Sequence, residues 1–219
     1  MNKLSIFSMV LLTATLALLR YALQAAQRLV SRHNAQRADF FRRHPVQAGD
    51  IVFLGDSLTA GGNWHELFPG LPVKNRGINA DTTLKVQDRL DDVLAGQPGS
   101  IFLLIGTNDL PWYMYRSDDA ILRTYAEILQ CCKDQSPHTR VFVQSIFPRH
   151  AMYAARIKRL NARLRALAGA NGYVFIDVFP LLADHRGALR ADLTNDNLHL
   201  MAEGYAIWAQ VLQPFVSAK

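Results

Sequence analysis

After Pro45 the chain alternates short apolar runs with longer stretches of helical periodicity. Runs at 51–54, 101–105, 141–144 and 173–176, with a weaker one at 73–75, have the length and composition of buried strands. Between them Val86, Leu90, Val93 and Leu94 recur at helical spacing. So do Ile121, Leu122, Tyr125, Ile128, Leu129 and Cys132, and then Ile157, Leu160, Leu164 and Leu167. A last stripe, Ile207, Trp208, Val211, Leu212 and Phe215, belongs to a helix over 202–216. Strands alternating with helices predict βαβ units, and so an α/β fold on a five-stranded parallel sheet. Asp81-Thr82-Thr83 offers a cap for the helix that carries Val86.

The segment before Pro45 follows another pattern. Residues 4–19 are apolar apart from Ser and Thr, and as a helix they would span about 24 Å, short of a hydrocarbon core of about 30 Å. With Lys3 before it and Ala22 to Ala26 after it, the stretch fits either a signal peptide or an anchor that lengthens through Ala26 when Arg20 snorkels. We therefore expect a hydrophobic N-terminal helix or signal segment over 1–26, a basic linker over 27–48 and one α/β domain over 49–219. Arg28, Arg32, Arg37, Arg42 and Arg43 make the linker either a surface for anionic lipid or a solvated connector. The expected location is a membrane-anchored domain facing the periplasm or exterior, although the positive-inside rule pulls the other way.

Charge sharpens this division. Residues 1–44 carry seven cations against Asp39 alone, which accounts for the whole formal net charge of +6 and leaves the remainder neutral. The basic isoelectric point therefore describes the appendage, and a nucleic-acid partner is not expected. Cys131 and Cys132 are adjacent on a helix and read as core thiols rather than as a disulfide. At 219 residues there is room for one well-buried α/β domain.

Three expected strand ends carry polar signatures, Gly55-Asp56-Ser57, Arg76-Gly77 and Gly106-Thr107-Asn108-Asp109, and a parallel sheet gathers them on one edge. Taken alone, Asp56 and Ser57 could simply cap a helix. A fourth signature, Asp196-Asn197-Leu198-His199, precedes the last helix. Three-residue spacing in a helical turn would set Asp196 beside His199, so that the carboxylate fixes the imidazole tautomer and the far nitrogen reaches Ser57. Gly77 can offer a bare backbone N–H and Asn108 a side-chain amide to a developing oxyanion.

These blocks resemble those of the GDSL or SGNH hydrolases: Gly55-Asp56-Ser57-Leu58, Gly77 within Asn75-Arg76-Gly77-Ile78-Asn79, Gly106-Thr107-Asn108-Asp109, and Asp196 to His199. The stretches NRGINADTT and LHLMAEGYAIW look most like the branch containing platelet-activating-factor acetylhydrolase catalytic subunits and related bacterial esterases. The resemblance covers about residues 49 to 214. It implies a flavodoxin-like three-layer α/β/α sandwich with Ser57 as nucleophile, His199 as general base and Asp196 as its orienting acid. The implied oxyanion hole is Gly77 N–H, the Asn108 side chain and Ser57 N–H. Asn197 stands where that branch often carries Gly. The implied substrate is an ester, a lipid or an acylated sugar, with no cofactor and no metal.

Other polar groups are weaker candidates. Asp184-His185 are adjacent and share no helical face, Asp177 reads as structural, and His65-Glu66 lack a metal-ligand partner. The arginines of the helix carrying Ile157 read as a solvated surface. Trp112, Tyr113, Met114 and Tyr115, together with Phe147-Pro148-Arg149-His150, follow strand ends. Trp112, Tyr113 and Phe147 are the expected pocket residues, and Arg149 is a candidate contact for an anionic group. Two other classes remain open: a non-catalytic module of the same fold that binds acylated glycan or lipid, and a flavodoxin-like binder of a phosphorylated cofactor. The second would want a phosphate-cradling loop where Asp56 stands.

Overall fold

The computed structural model describes Thr15, Leu18, Arg20, Tyr21 and residues 31–111, 114 and 116–217. The five apolar runs are strands β1 (Ile51–Gly55), β2 (Val73–Gly77), β3 (Ser100–Leu104), β4 (Arg140–Gln144) and β5 (Val174–Ile176). All pair in parallel, in the order β2-β1-β3-β4-β5. This is the flavodoxin-like order expected from the sequence. The chain leaves β1 for β2 on one side and then crosses to β3 on the other, so a crevice opens beyond the carboxyl ends of β1 and β3. Gly55 lies level with Gly77 on one flank and with Leu104 on the other, which brings the three polar strand ends to one height.

Side-chain alternation along the strands builds two unlike cores. Val52, Leu54, Ile101, Leu103, Val141 and Val143 face an aliphatic layer formed with α3 (Thr83–Asp88), α4 (Leu90–Leu94), α5 (Asp118–Gln135) and α6 (Ala154–Ala170). Phe53, Phe102 and Phe142 point to the other face, where α1 (Ser57–Ala60), α2 (Trp64–Leu67), α7 (Phe179–Leu182) and α8 (Ala202–Val216) close over them. Rings are continuous there: Phe53 stacks on Trp64 at 4.0 Å and on Phe102 at 5.2 Å, and Phe102 stacks on Phe142 at 4.6 Å. Stacked pairs of this kind add to plain area burial.

Two expectations change in detail. The single helix expected through Val86 and Leu94 breaks at Arg89 into α3 and α4. There Arg89 Nε donates to Asp81 Oδ2 at 2.8 Å and its Nη2 to the Gly55 carbonyl at 3.0 Å, so its backbone follows the ion pair rather than the helix. The basic stretch expected as a linker is helical over 31–43, in keeping with its Ala, Gln and Arg content and the absence of Gly or Pro before Pro45. Residues 41–219 form one compact unit and residues 1–40 another. The expected hydrophobic segment over 1–26 lies outside the described residues except for Thr15, Leu18, Arg20 and Tyr21, which are helical. Among the described residues no helix is long and apolar enough to cross a membrane.

Of the arginines of α6 expected as solvated surface, Arg159, Arg163 and Arg165 are exposed, whereas Arg156 is largely buried, and all four are tied to neighbouring carboxylates. Arg156 and Arg159 reach Asp118, Arg163 reaches Asp119, and Arg165 reaches Asp177 at 2.6 Å. Asp177 is thus a structural partner, and Asp184 builds a turn by accepting the Arg186 and Ala188 N–H groups.

Candidate functional site

Ser57 is the first residue of α1, directly beyond β1. Asp56 caps that turn, its Oδ1 accepting the Leu58 N–H at 2.9 Å. At position N1, the Ser57 N–H has no intrahelical acceptor. The Ser57 hydroxyl lies 2.9 Å from His199 Nε2, and His199 Nδ1 lies 2.6 Å from Asp196 Oδ2. Residues 142 positions apart in sequence are thereby joined in one hydrogen-bonded relay. If Asp196 is ionised it accepts only, which makes Nδ1 the protonated ring nitrogen and leaves Nε2 free to accept from Ser57.

Asp196 and His199 do not share a helical turn, as their spacing suggested. They lie in an irregular loop before α8, and the carboxylate itself shapes it: Asp196 Oδ1 accepts the backbone N–H groups of Leu198 and His199 at 2.9 and 2.8 Å. One oxygen holds the loop while the other holds the ring. What burial Asp196 has would raise its pKa, but the His199 ring and the two backbone donors outweigh it and hold the carboxyl down to about 2. It therefore stays ionised through any ordinary assay pH.

Asn197 sits between them at φ +61°, in the left-handed region. A non-glycine residue there costs roughly 1–2 kcal/mol, and Asn is among the few side chains that tolerate it. Asn197→Gly should leave stability and turnover within twofold of the parent. Asn197→Ala should lower stability by about 1 kcal/mol and loosen the Asp196-His199 contact, visible as a drop in kcat. Equal behaviour of the two variants would show that the loop does not need this conformation.

Gly77 ends β2 against α1. A Cβ there would stand 2.1 Å from the Ala60 nitrogen and 2.6 Å from its Cα, so only glycine allows the strand to approach the nucleophile's helix. Its N–H donates to Asn75 Oδ1 at 2.9 Å, while Asn75 Nδ2 bridges the Ala60 and Gly62 carbonyls at 3.1 and 3.2 Å. The expected oxyanion donor is thus already engaged, and Asn75, which the sequence did not single out, staples β2 to α1. Beyond β3, Gly106 turns the chain at φ +119°, and half-buried Asn108 donates through Nδ2 to the Asp81 carbonyl at 2.9 Å. An amide nitrogen carries two hydrogens, so one remains.

A buried polar scaffold holds these groups. Asp109, fully buried, accepts the Thr83 N–H and hydroxyl at 3.0 and 2.8 Å and pairs with Arg116 at 3.2 Å. Arg89 ties Asp81, whose carbonyl holds Asn108, to the Gly55 carbonyl next to Asp56. Burial raises the Asp81 carboxyl and lowers the Arg89 guanidinium even though they pair, as expected when desolvation offsets much of an ion pair's attraction. Asp56 is almost fully buried, and burial, reinforced by Asp81 and Asp109 and opposed by the Leu58 N–H and Arg149, raises its carboxyl to about 7.

The description of a GDSL-like lipase/acylhydrolase family fits residues 53–207, a span that includes all of these blocks. The chain belongs to that family. It is 28% identical over 194 residues to platelet-activating factor acetylhydrolase IB subunit alpha1 of Pongo abelii, covering 84% of this chain and 80% of that protein. Subunit alpha2 of Rattus norvegicus is 26% identical over 195 residues, covering 84% and 81%. Among solved structures, a Streptococcus pneumonia protein provisionally assigned as a platelet activating factor superposes with a TM-score of 0.81 at 28% identity, covering 90% of this chain and 99% of that one. A GDSL-like lipase from Bacteroides thetaiotaomicron gives a TM-score of 0.74 at 24% identity over 84% and 97%, a likeness of fold.

Within this GDSL-like domain the structure links Ser57 to His199 and His199 to Asp196, sets Gly77 at the end of β2 level with Gly55, and places Asn108 in the turn just beyond β3. Phe147, expected to line a pocket, lies inside the aromatic layer with 1% exposure, edge-on to Trp208 at 4.8 Å. Trp112 and Tyr113 lie outside the described residues. Among the described residues no cluster of three His, Cys, Asp or Glu side chains is arranged to hold a metal. Asn75, Arg89 and Arg116 gave little sequence signal. Their roles depend on carbonyls and carboxylates brought from distant positions.

Proposed function

We propose that this chain is a serine esterase that hydrolyses carboxylic esters through an acyl-enzyme, with Ser57, His199 and Asp196 as its triad. The observation that carries this reading is the unbroken relay from the Ser57 hydroxyl through His199 to Asp196, at 2.9 and 2.6 Å. Ser57 Oγ attacks the acyl carbon while His199 Nε2 takes its proton, and Asp196 stabilises the imidazolium that forms. The carbonyl oxygen, now an oxyanion, meets the Ser57 N–H and the remaining Asn108 Nδ2 hydrogen. The Gly77 N–H joins them by sharing its hydrogen with Asn75 Oδ1. Collapse expels the alcohol, which takes the proton from His199, and water then repeats the cycle on the acyl-serine.

Names of relatives as acetylhydrolases support acyl-ester chemistry and leave the choice among small esters, lipids and acylated sugars to assay. A fluorophosphonate should modify Ser57 covalently, located by peptide mass. Asn108→Ala should slow both that labelling and nitrophenyl ester turnover by about 10²- to 10³-fold, the cost of one oxyanion donor. A folded protein that does not label would favour the alternative of a non-catalytic module binding acylated glycan or lipid.

A further inference from the structure

The helix α1 is only four residues long, too short to hold its shape through its own hydrogen bonds, so the position of Ser57 depends on what grips the turn from outside. Each of its carbonyls has a donor. The Gly61 N–H donates to the Ser57 carbonyl at 2.9 Å, while the Thr59 carbonyl accepts from Trp64 Nε1 at 2.9 Å and from the Gly62 N–H at 3.2 Å. Asn75 Nδ2 donates to the Ala60 carbonyl at 3.1 Å. A continuing helix would send the Gly62 N–H to Leu58, but here the Leu58 carbonyl accepts from the Tyr205 hydroxyl at 2.9 Å.

Tyr205 differs from the other grips in where it comes from. Trp64 and Asn75 belong to α2 and β2, which follow α1 directly in the chain, whereas Tyr205 stands on α8, six residues beyond His199. Its hydroxyl therefore ties the segment that carries the base to the residue after the nucleophile. The ring is held on two sides: it stacks on Trp208 at 5.9 Å and meets Trp64 edge-on at 6.4 Å. Trp208 is in turn fixed to β4, its Nε1 donating to Gln144 Oε1 at 2.6 Å. On the backbone, the Tyr205 N–H donates to the Met201 carbonyl at 3.2 Å and the Met201 N–H to the Leu193 carbonyl at 2.8 Å, which closes the loop holding Asp196 and His199 at its base. Burial, with the Asp56 charge adding to it, pushes the hydroxyl up to about 12, so it remains a donor at any ordinary assay pH.

We infer that Tyr205 is a positioning residue for the proposed hydrolysis, acting through the Leu58 carbonyl to hold Ser57 Oγ at hydrogen-bonding distance from His199 Nε2. The inference rests on the esterase reading and adds to it a group outside the relay. The Ser57-His199 contact at 2.9 Å joins two side chains that can each change rotamer, whereas the Tyr205-Leu58 bond fixes the backbone beneath the nucleophile. Reactions between held groups lose rate steeply when the groups are misplaced. Loss of the hydroxyl should thus slow the chemistry while leaving substrate binding nearly unchanged.

Two substitutions in the intact chain strike the same bond from opposite sides. Tyr205→Phe removes the hydroxyl and keeps the ring. Gly61→Ala keeps the tyrosine but adds a Cβ 2.6 Å from its oxygen, which pushes the hydroxyl off Leu58, and it carries the test alone if the Phe variant does not fold. Each should lower kcat for nitrophenyl acetate and the fluorophosphonate labelling rate of Ser57 about 10-fold, the scale of one hydrogen bond, with KM within twofold of the parent. The double variant should be no slower than either single one, because phenylalanine leaves room for the alanine methyl. Val211→Ala, which trims packing against the aromatic layer from the same helix, should lower the unfolding midpoint and leave kcat at the parent value. Single variants with parent-like kcat, a rise in KM alone, losses that multiply to about 100-fold in the double variant, or equal slowing in Val211→Ala would each overturn the inference while leaving the esterase intact. A parent that neither turns over ester nor labels removes the esterase reading, and the positioning role of Tyr205 with it.

Discussion

Replacing Ser57 by Ala should lower kcat for nitrophenyl acetate by about a millionfold, and His199→Ala should cost about as much, because each breaks the same relay. The double variant should be little worse than either single one: once the nucleophile is gone, its base has nothing to activate. Asp196→Ala should be milder, about 10⁴-fold, since an imidazole without its carboxylate still samples the reactive tautomer. Losing Asp196 also removes the acceptor of the Leu198 and His199 N–H groups, so part of the loss would come from a displaced ring. Asp196→Asn, which keeps an oxygen acceptor for the loop, separates the two contributions. Steady-state kinetics with thermal unfolding on the same samples make the check. A Ser57→Ala protein that retains more than a few per cent of parent activity would end the proposed mechanism.

Much of this was legible in the chain because the fold and the relay use local signals. Val52, Leu54, Ile101 and Leu103 fall on one face of the sheet and Phe53 and Phe102 on the other, and a doubly covered parallel strand must be apolar on both. A strand order with β1 at the switch point then brings the residues after β1, β2 and β3 together, so Ser57, Gly77 and Asn108 could be named from their positions alone. Asp196 and His199 were legible as a pair, but for a reason that fails in detail. Their contact is made by a loop folded around the aspartate's own oxygens, with Asn197 in a left-handed conformation, and not by a helical turn.

What escaped sequence reasoning depends on distant backbone groups. Arg89 reads as an ordinary helix residue, and nothing in its neighbourhood says that its guanidinium will reach the Gly55 carbonyl and interrupt the helix. Asn75 and Gly77 lie two apart on a strand, where side chains alternate, so the side-chain staple from Asn75 to the Gly77 N–H shows only in the structure. Its position after β4 predicts a place for Phe147 in the pocket. Its ring instead turns inward, since the aromatic layer begun by Phe53 and Trp64 continues through Trp208 and has room for it.

Asp56→Asn should reverse part of the protein's pH dependence of stability, by about 4 kcal/mol between pH 4 and pH 9. The native carboxyl titrates near 7 against 3.8 for the ordinary group, so the folded protein holds this proton more tightly than the unfolded chain does. The contribution is therefore fully present below the unfolded value and is lost as pH rises through about 7. Asparagine keeps an Oδ1 acceptor for the Leu58 N–H and has no proton to lose. Its stability relative to the parent should accordingly grow from pH 4 to pH 9, measured by urea unfolding at each pH. Parallel curves would show that Asp56 does not titrate in this range. The same charge bears on catalysis, because an ionised Asp56 adjoins the Ser57 N–H that is proposed to meet the oxyanion. Two negative charges would then crowd one end of α1 as the tetrahedral intermediate forms. Turnover by the parent should fall above pH 7 relative to Asp56→Asn, so a residue that in sequence looks like a helix cap also limits how alkaline the site can become.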